Sequence, residues 1–310
     1  MRVKKLAIGL LATSLCIGCM GMSYGTLGDE LVYGEMNGDS LETFASNLSV
    51  LNDEFCDWDN AQIVLEDEEY AYTAEGNNCS LYYVVHDNET LGYMVTTSNG
   101  DVIAYGVGEK VDPLISEYAL EYSESEDEVL NAEGEISVTA TNSSVVLSGL
   151  NPQLQGSYNC IVAAASNVMW YYGENGYSAL IGSDTFDTVK SRMNYFYVNN
   201  GGYTNNGSPA AISGYVNAKT SGALKATVYV TWDPSQNQML YEISSGRPFM
   251  LGYAAGSIFS ADVGHMTMCC GYMTLNSELY AYVITGHSTG PTYIKWDDDI
   301  NDCIITIKIS

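Results

Sequence analysis

Residues 159–173 read NCIVAAASNVMWYYG. Between 160 and 172 only Ser166 and Asn167 interrupt a run of apolar side chains. A segment of that length and composition predicts a helix buried on nearly all sides. Asn159 is suited to cap its start and Gly173 to stop it. Cys160 then falls in the first turn, where the positive end of the helix dipole favours a thiolate. Downstream, Ser183 is placed to cap a second helix. Ser208-Pro209 opens a third with proline in its first turn, and Ser235 opens a fourth that ends at Gly246. From there the pattern turns to short β-rich runs at 248–254, 265–272, 279–284, 293–296 and 303–309. Helices first and strands second predict an α+β domain over 146–310, because parallel-sheet folds interleave the two.

Upstream the composition changes. Residues 23–140 hold 27 acidic side chains and one basic one, Lys110, whereas 141–310 hold 11 acidic and 7 basic. The formal charge of −27 therefore resides almost wholly in the first half. A chain this acidic repels phosphate backbones and anionic lipid surfaces, so nucleic-acid partners are excluded. Leu41, Phe44, Ala45, Leu48 and Leu51 recur at helical spacing after Ser40. β-rich runs follow at 82–85, 92–97 and 101–107, and Ser98-Asn99-Gly100-Asp101 between the last two is a hairpin signal. Residues 23–120 thus read as a small acidic α+β domain. The stretch 121–145 is acidic, rich in Ser and Thr, and too poor in apolar residues to offset its ordering entropy. It is expected to be an exposed, cleavable linker.

At the start, Arg2, Lys4 and Lys5 precede a 13-residue apolar run and then small residues, the pattern of a secretory signal peptide over 1–22. Export to the cell surface or medium is the expectation, with lipid anchoring through Cys19 as the minor option and no stable membrane span. Six cysteines follow the signal: Cys56, Cys79, Cys160, Cys269, Cys270 and Cys303. They form no CxxC pair, so a zinc ribbon or thioredoxin-type motif is not expected. Cys56 with Cys79, and Cys269 or Cys270 with Cys303, are open as disulfides. With three histidines in the chain, no metal site and no cofactor are expected. Asp297-Asp298-Asp299, with Asn301 and Asp302, lacks EF-hand spacing and reads as a solvated turn.

A nucleophilic thiol needs a base. His265, in Gly264-His265-Met266-Thr267, opens a strand about a hundred residues after Cys160. The order QGSYNCIVAAASNVMWYY (155–172), GRPFMLGY (246–253) and GHMTMCCGYM (264–273) resembles bacterial papain-like cysteine peptidases of the streptopain type, with bacteriocin-leader peptidases sharing the outline. Residues 81–122, LYYVVHDNETLGYMVTTSNGDVIAYGVGEKVDPLISEYALEY, resemble the propeptide of the same type.

The resemblance implies a papain-like fold behind a propeptide that acts as an intramolecular inhibitor, with protein or peptide substrates. It makes Cys160 the nucleophile and His265 the general base and acid. Gln155 becomes the oxyanion donor, although it stands five residues before Cys160 where the family places it six, which leaves Gln153 as an alternative. The Asn or Asp that orients the histidine in that family is missing. Thr285 and His287, in Val283-Ile284-Thr285-Gly286-His287, are the local substitutes. Two other readings stay open: a catalytically inactive surface or binding protein on the same fold, and a papain-fold amidase or acyltransferase.

Overall fold

Asn159 does cap the buried helix: its side-chain oxygen accepts from the Ile161 N–H at the start of Cys160–Glu174 (α2). All but two residues of α2 are buried. The helix runs one residue past Gly173, which instead lies hard against Ile181. Asn175 closes the end through its own N–H to the Tyr171 carbonyl. The computed structural model that reveals this describes residues 38–72, 78–108, 143–156, 159–254, 264–287, 292–296 and 301–310. The signal peptide with Cys19, most of the expected linker, and Asp297-Asp298-Asp299 lie outside the described residues.

The described residues of the C-terminal half hold three further α-helices, Phe186–Asn199 (α3), Ser208–Lys219 (α4) and Gln236–Ser244 (α5), and a 3-10 turn at Ser178–Leu180; α3 packs on α2. The cap of α3 is Thr185 and not Ser183, because the Thr185 hydroxyl accepts from the Thr188 N–H at 3.3 Å. In the N-terminal half one helix, Gly38–Leu51 (α1), precedes a 3-10 segment at Asp53–Trp58.

The remaining elements are strands: Gln62–Tyr72 (β1), Asn78–His86 (β2), Glu89–Thr97 (β3), Val102–Val107 (β4), Ser143–Val146 (β5), Ala226–Trp232 (β6), Phe249–Tyr253 (β7), His265–Leu275 (β8), Glu278–Ile284 (β9), Thr292–Lys295 (β10) and Asn301–Ile309 (β11). They form one 11-stranded antiparallel sheet in the order β1-β2-β3-β4-β10-β9-β8-β7-β11-β6, with β5 paired to β8 off this path. The molecule is therefore α+β with a large antiparallel sheet and several helices. The two compositionally distinct segments share that sheet, since β4 pairs with β10 through Tyr105↔Tyr293, and the described residues form one compact unit.

Local sequence explains most of this register. The Asn-Gly signal closes the β3–β4 hairpin, where Gly100 adopts φ +86° and donates to the Thr97 carbonyl at 2.9 Å. Residues 143–145, expected at the end of a linker, begin β5 instead. Its β-branched Val145 and Val146 pair with Tyr272 and Gly271 of β8, and the backbone comes so close that a Cβ on Gly271 would stand 2.6 Å from the Val145 carbonyl oxygen. Two further strands escape the sequence reading. In β1 the carboxylates hide the pattern, which an edge strand tolerates. In β6, ATVYVTW carries the β-branched signal plainly, but it sits among helices. No disulfide links the six described cysteines. Among the described residues no helix is long and apolar enough to cross a membrane.

Candidate active site

Cys160 at the head of α2 and His265 at the head of β8 are both buried, at 2% and 6% exposure. The Met266 backbone N–H, one residue beyond the histidine, is turned towards the Cys160 sulfur closely enough to favour its thiolate. The start of α2 and the start of β8 therefore meet at the thiol. The Cys160 thiol also lies 3.6 Å from the Asn159 side-chain oxygen. Burial pushes the thiol pKa up, and the N–H groups of Met266, Ile161 and Cys160 itself pull against that shift. Desolvation exceeds the helix-terminus effect, so the resting group is a thiol, not the thiolate that the first-turn position suggested.

His265 Nε2 stands 3.1 Å from the Thr285 carbonyl oxygen. A carbonyl only accepts, so Nε2 carries the hydrogen and Nδ1 is the unprotonated nitrogen of the neutral ring. Thr285 thus orients the imidazole through its backbone, not its hydroxyl. That hydroxyl accepts from the His287 N–H at 3.2 Å and shapes the turn. His287 stacks on His265 with ring centroids 4.8 Å apart and planes 24° apart. Burial and the neighbouring His287 push the His265 pKa down to about 3, against a smaller opposing pull from the Thr285 carbonyl. Burial lowers His287 as well. The pair at rest is neutral thiol and neutral imidazole.

Gln155 is buried and anchored to the same turn. Its N–H donates to the Gly286 carbonyl at 2.7 Å, and its side chain lies so close to Gly286 that a Cβ there would stand 3.1 Å from Gln155 Cβ. Gly286 at φ +82° makes that approach possible. The alternative, Gln153, is turned away: its amide nitrogen bonds Asn151 at 2.9 Å and 3.3 Å on the exposed side. The loop between them is held by Lys190, 4% exposed, whose ammonium donates to the Leu154 carbonyl at 2.9 Å and to the Gln155 carbonyl at 3.3 Å. Asp187 completes its charge balance at 3.0 Å.

The sequence reading missed two participants. Lys190 looked like an ordinary helix-surface cation, and its burial has no signature in one sequence. Asn159 was read only as a cap. Its Oδ1 serves the Ile161 N–H, while its Nδ2 is buried without a hydrogen-bond partner among the described residues. An unpaired donor on the side chain whose oxygen touches the thiol is the type of group that can meet a developing oxyanion. The other cysteines, Cys79, Cys269, Cys270 and Cys303, are buried with thiol pKa values raised, whereas Cys56 is exposed. No cluster of metal-ligating side chains occurs among the described residues. No family model matches this chain, and no curated protein sequence is similar to it.

Proposed function

We propose that the protein is a secreted cysteine peptidase of papain-like fold made as a proenzyme, with Cys160 and His265 as its catalytic pair. One observation supports this reading above the others: the Thr285 carbonyl holds the His265 hydrogen on Nε2, so that the unprotonated nitrogen is Nδ1, in a ring that opens the strand whose next residue, Met266, turns its N–H towards the Cys160 sulfur. The backbone carbonyl does the orienting work that a third side chain does in triads.

In the reaction, the Cys160 sulfur attacks the peptide carbonyl carbon while His265 Nδ1 takes the thiol proton. The new S–C bond and the shifted electron pair give a tetrahedral oxyanion, met by N–H donors at the head of α2. Collapse breaks the C–N bond, and His265 returns the proton to the leaving amine. Water then adds to the thioester with His265 again as base, and the thiol and the carboxylic product separate. No cofactor enters these steps.

The test is labelling by a thiol-directed epoxide, with casein hydrolysis as the second readout, on a Cys56→Ser background that removes the exposed thiol. The expected result is one label, on Cys160, with both readouts lost in Cys160→Ala. Burial of both groups favours the inactive binding-protein reading as the rival, and that reading requires an unlabelled Cys160 in the cut and uncut chains alike. An amidase or acyltransferase would label at Cys160 and leave casein intact.

A further inference from the structure

The joint between β4 and β10 has the make-up of a permanent interface. On the C-terminal side stand Tyr280, Tyr282 and Tyr293, all buried. On the N-terminal side, Tyr105 stacks on Tyr293 with centroids 4.9 Å apart, Phe55 packs 5.6 Å from the same ring, and Phe44 lies 6.4 Å from Tyr280. The hydroxyls cross the joint in both directions. Tyr93 pairs with Thr292 at 2.9 Å, Tyr280 donates to the Val102 carbonyl at 3.2 Å, and Tyr105 reaches the Met273 sulfur at 3.0 Å. Glu54 accepts from Tyr282 and Tyr293, each at 3.3 Å, while the Asn52 amide donates to the Tyr293 hydroxyl at 2.9 Å.

Without residues 38–108, β10 becomes an open sheet edge beside a bare patch of aromatic rings. Exposed edges of that kind pair with whatever strand is available. An aromatic centre threaded with hydrogen bonds is also how stable protein–protein interfaces are built.

We propose that residues 38–108 are a lasting structural partner of residues 143–310, which they complete by adding β4 to the β10 edge. After scission anywhere in 109–142, the two pieces remain together as a non-covalent two-chain protein. This does not rest on the chemistry of Cys160. It implies that any unmasking of Cys160 and His265 on maturation comes without departure of the N-terminal segment from the sheet. The strongly acidic segment and the mildly acidic partner repel each other, so the association is weakest at low ionic strength, where screening is least.

The experiment uses the full chain carrying Cys160→Ala, so that self-processing plays no part, with the cut site of a sequence-specific protease substituted at 128–133. After complete cleavage, size exclusion and native mass spectrometry at low micromolar concentration are expected to find one species with the mass of both pieces, in 0.15 M salt and in 0.02 M salt after dilution. Adding Tyr105→Ala and Phe55→Ala is expected to make the cut pieces separate. Two results would overturn the proposal: cut pieces with Tyr105 and Phe55 intact that elute apart at 0.15 M salt, or a 143–310 piece that remains a soluble monomer with an unchanged melting temperature once its partner is removed.

Discussion

The β4–β10 joint and the head of β8 are built on opposite terms. At the joint, each buried tyrosine hydroxyl on either strand's side has a partner, and the rings meet edge-to-face or stacked. At the head of β8, polar atoms are buried without partners: Asn159 Nδ2 and His287 Nδ1. Buried polar groups are ordinarily satisfied, so an orphaned one marks a place where stability has been given up. Trp58 Nε1, in a ring 4.7 Å from Phe55, is also buried without a partner, so the contrast lies in the tyrosine hydroxyls and not in every polar atom. The largest effect expected from breaking it is at the joint. Tyr105→Ala removes a fully buried ring that touches Phe44, Phe55, Tyr280 and Tyr293. It should cost about 3–5 kcal/mol, the range for emptying a buried aromatic position. Denaturant unfolding should show this loss in a single transition for the wild type, because both halves share one sheet. Two wild-type transitions would show that the joint does not couple them.

The same contrast has an acid counterpart at the site. His265 has a folded pKa of about 3, well below the ordinary 6.5. Between those two values the unfolded chain binds a proton that the folded chain does not, so stability falls as pH drops from 6.5 towards 3. A displacement this large in a buried ring amounts to several kcal/mol at the acid end. Asp302 acts oppositely: burial and the nearby Asp233 raise its carboxyl to about 6, so its contribution is lost as pH rises from 3.8 to 6. Thermal melts from pH 7 to 4 should show a net decline in the wild type. In His265→Gln that decline should become shallow or reverse as the Asp302 effect emerges. An unchanged slope would mean that His265 titrates normally.

How much of this was legible follows the same division. The buried helix was readable because eleven apolar residues in thirteen leave no polar face, and its cap because Asn159 stands immediately before them. Thr285 and His287 could be named from the sequence because they follow a strand that fits the resemblance. Which atom of Thr285 would orient the ring could not, because a backbone carbonyl carries no residue identity. The continuous sheet was equally hidden. Composition divides the chain sharply by charge, and charge reports what faces water, whereas the joint is made of tyrosines spread over both halves. The 25 tyrosines against 6 phenylalanines were the available clue, since a buried hydroxyl must find a partner and so specifies a neighbour. Lys190 was missed for the converse reason: its long stem and charge read as surface on any helix.

Lys190 gives the next effect in size. Its ammonium is the donor for two loop carbonyls, and Lys190→Met would leave the Gln155 carbonyl, which is buried, without that donor. About 1–3 kcal/mol is the usual cost of such a loss. The more telling readout is local. Because the Gln155 N–H bonds Gly286 beside His287, loosening the loop should speed amide hydrogen exchange at Gln155 more than in β11. Lys190→Arg should recover only part of the protection, since a guanidinium fork does not match a compact site shaped for one ammonium. Uniform acceleration across the sheet would reduce Lys190 to a general stabiliser.

The smallest effect on folding, and the finest test of the contrast, is at Asn159. Its side chain has two separable ends: Oδ1 caps α2 through the Ile161 N–H and lies 3.6 Å from the Cys160 sulfur, and Nδ2 is buried and unpaired. Serine is as good an N-cap as asparagine, so Asn159→Ser should change stability by a few tenths of a kcal/mol at most. It has no amide donor, however. If Nδ2 meets the oxyanion, turnover of a peptide or ester substrate should fall by about 10²–10³-fold, the range for deleting one such donor, with KM little changed and Cys160 still labelled by an epoxide. Asn159→Asp keeps the cap and lacks the donor, but adds a negative charge next to the sulfur. It should therefore lower turnover and also raise the thiol pKa further, which moves the pH profile of labelling upward. Serine and aspartate variants with identical labelling profiles would mean that Asn159 does not sense the sulfur. Full turnover in Asn159→Ser would return the unpaired amide to the status of a packing cost, and the site would then have to draw its oxyanion donors from Gln155 and the first N–H groups of α2.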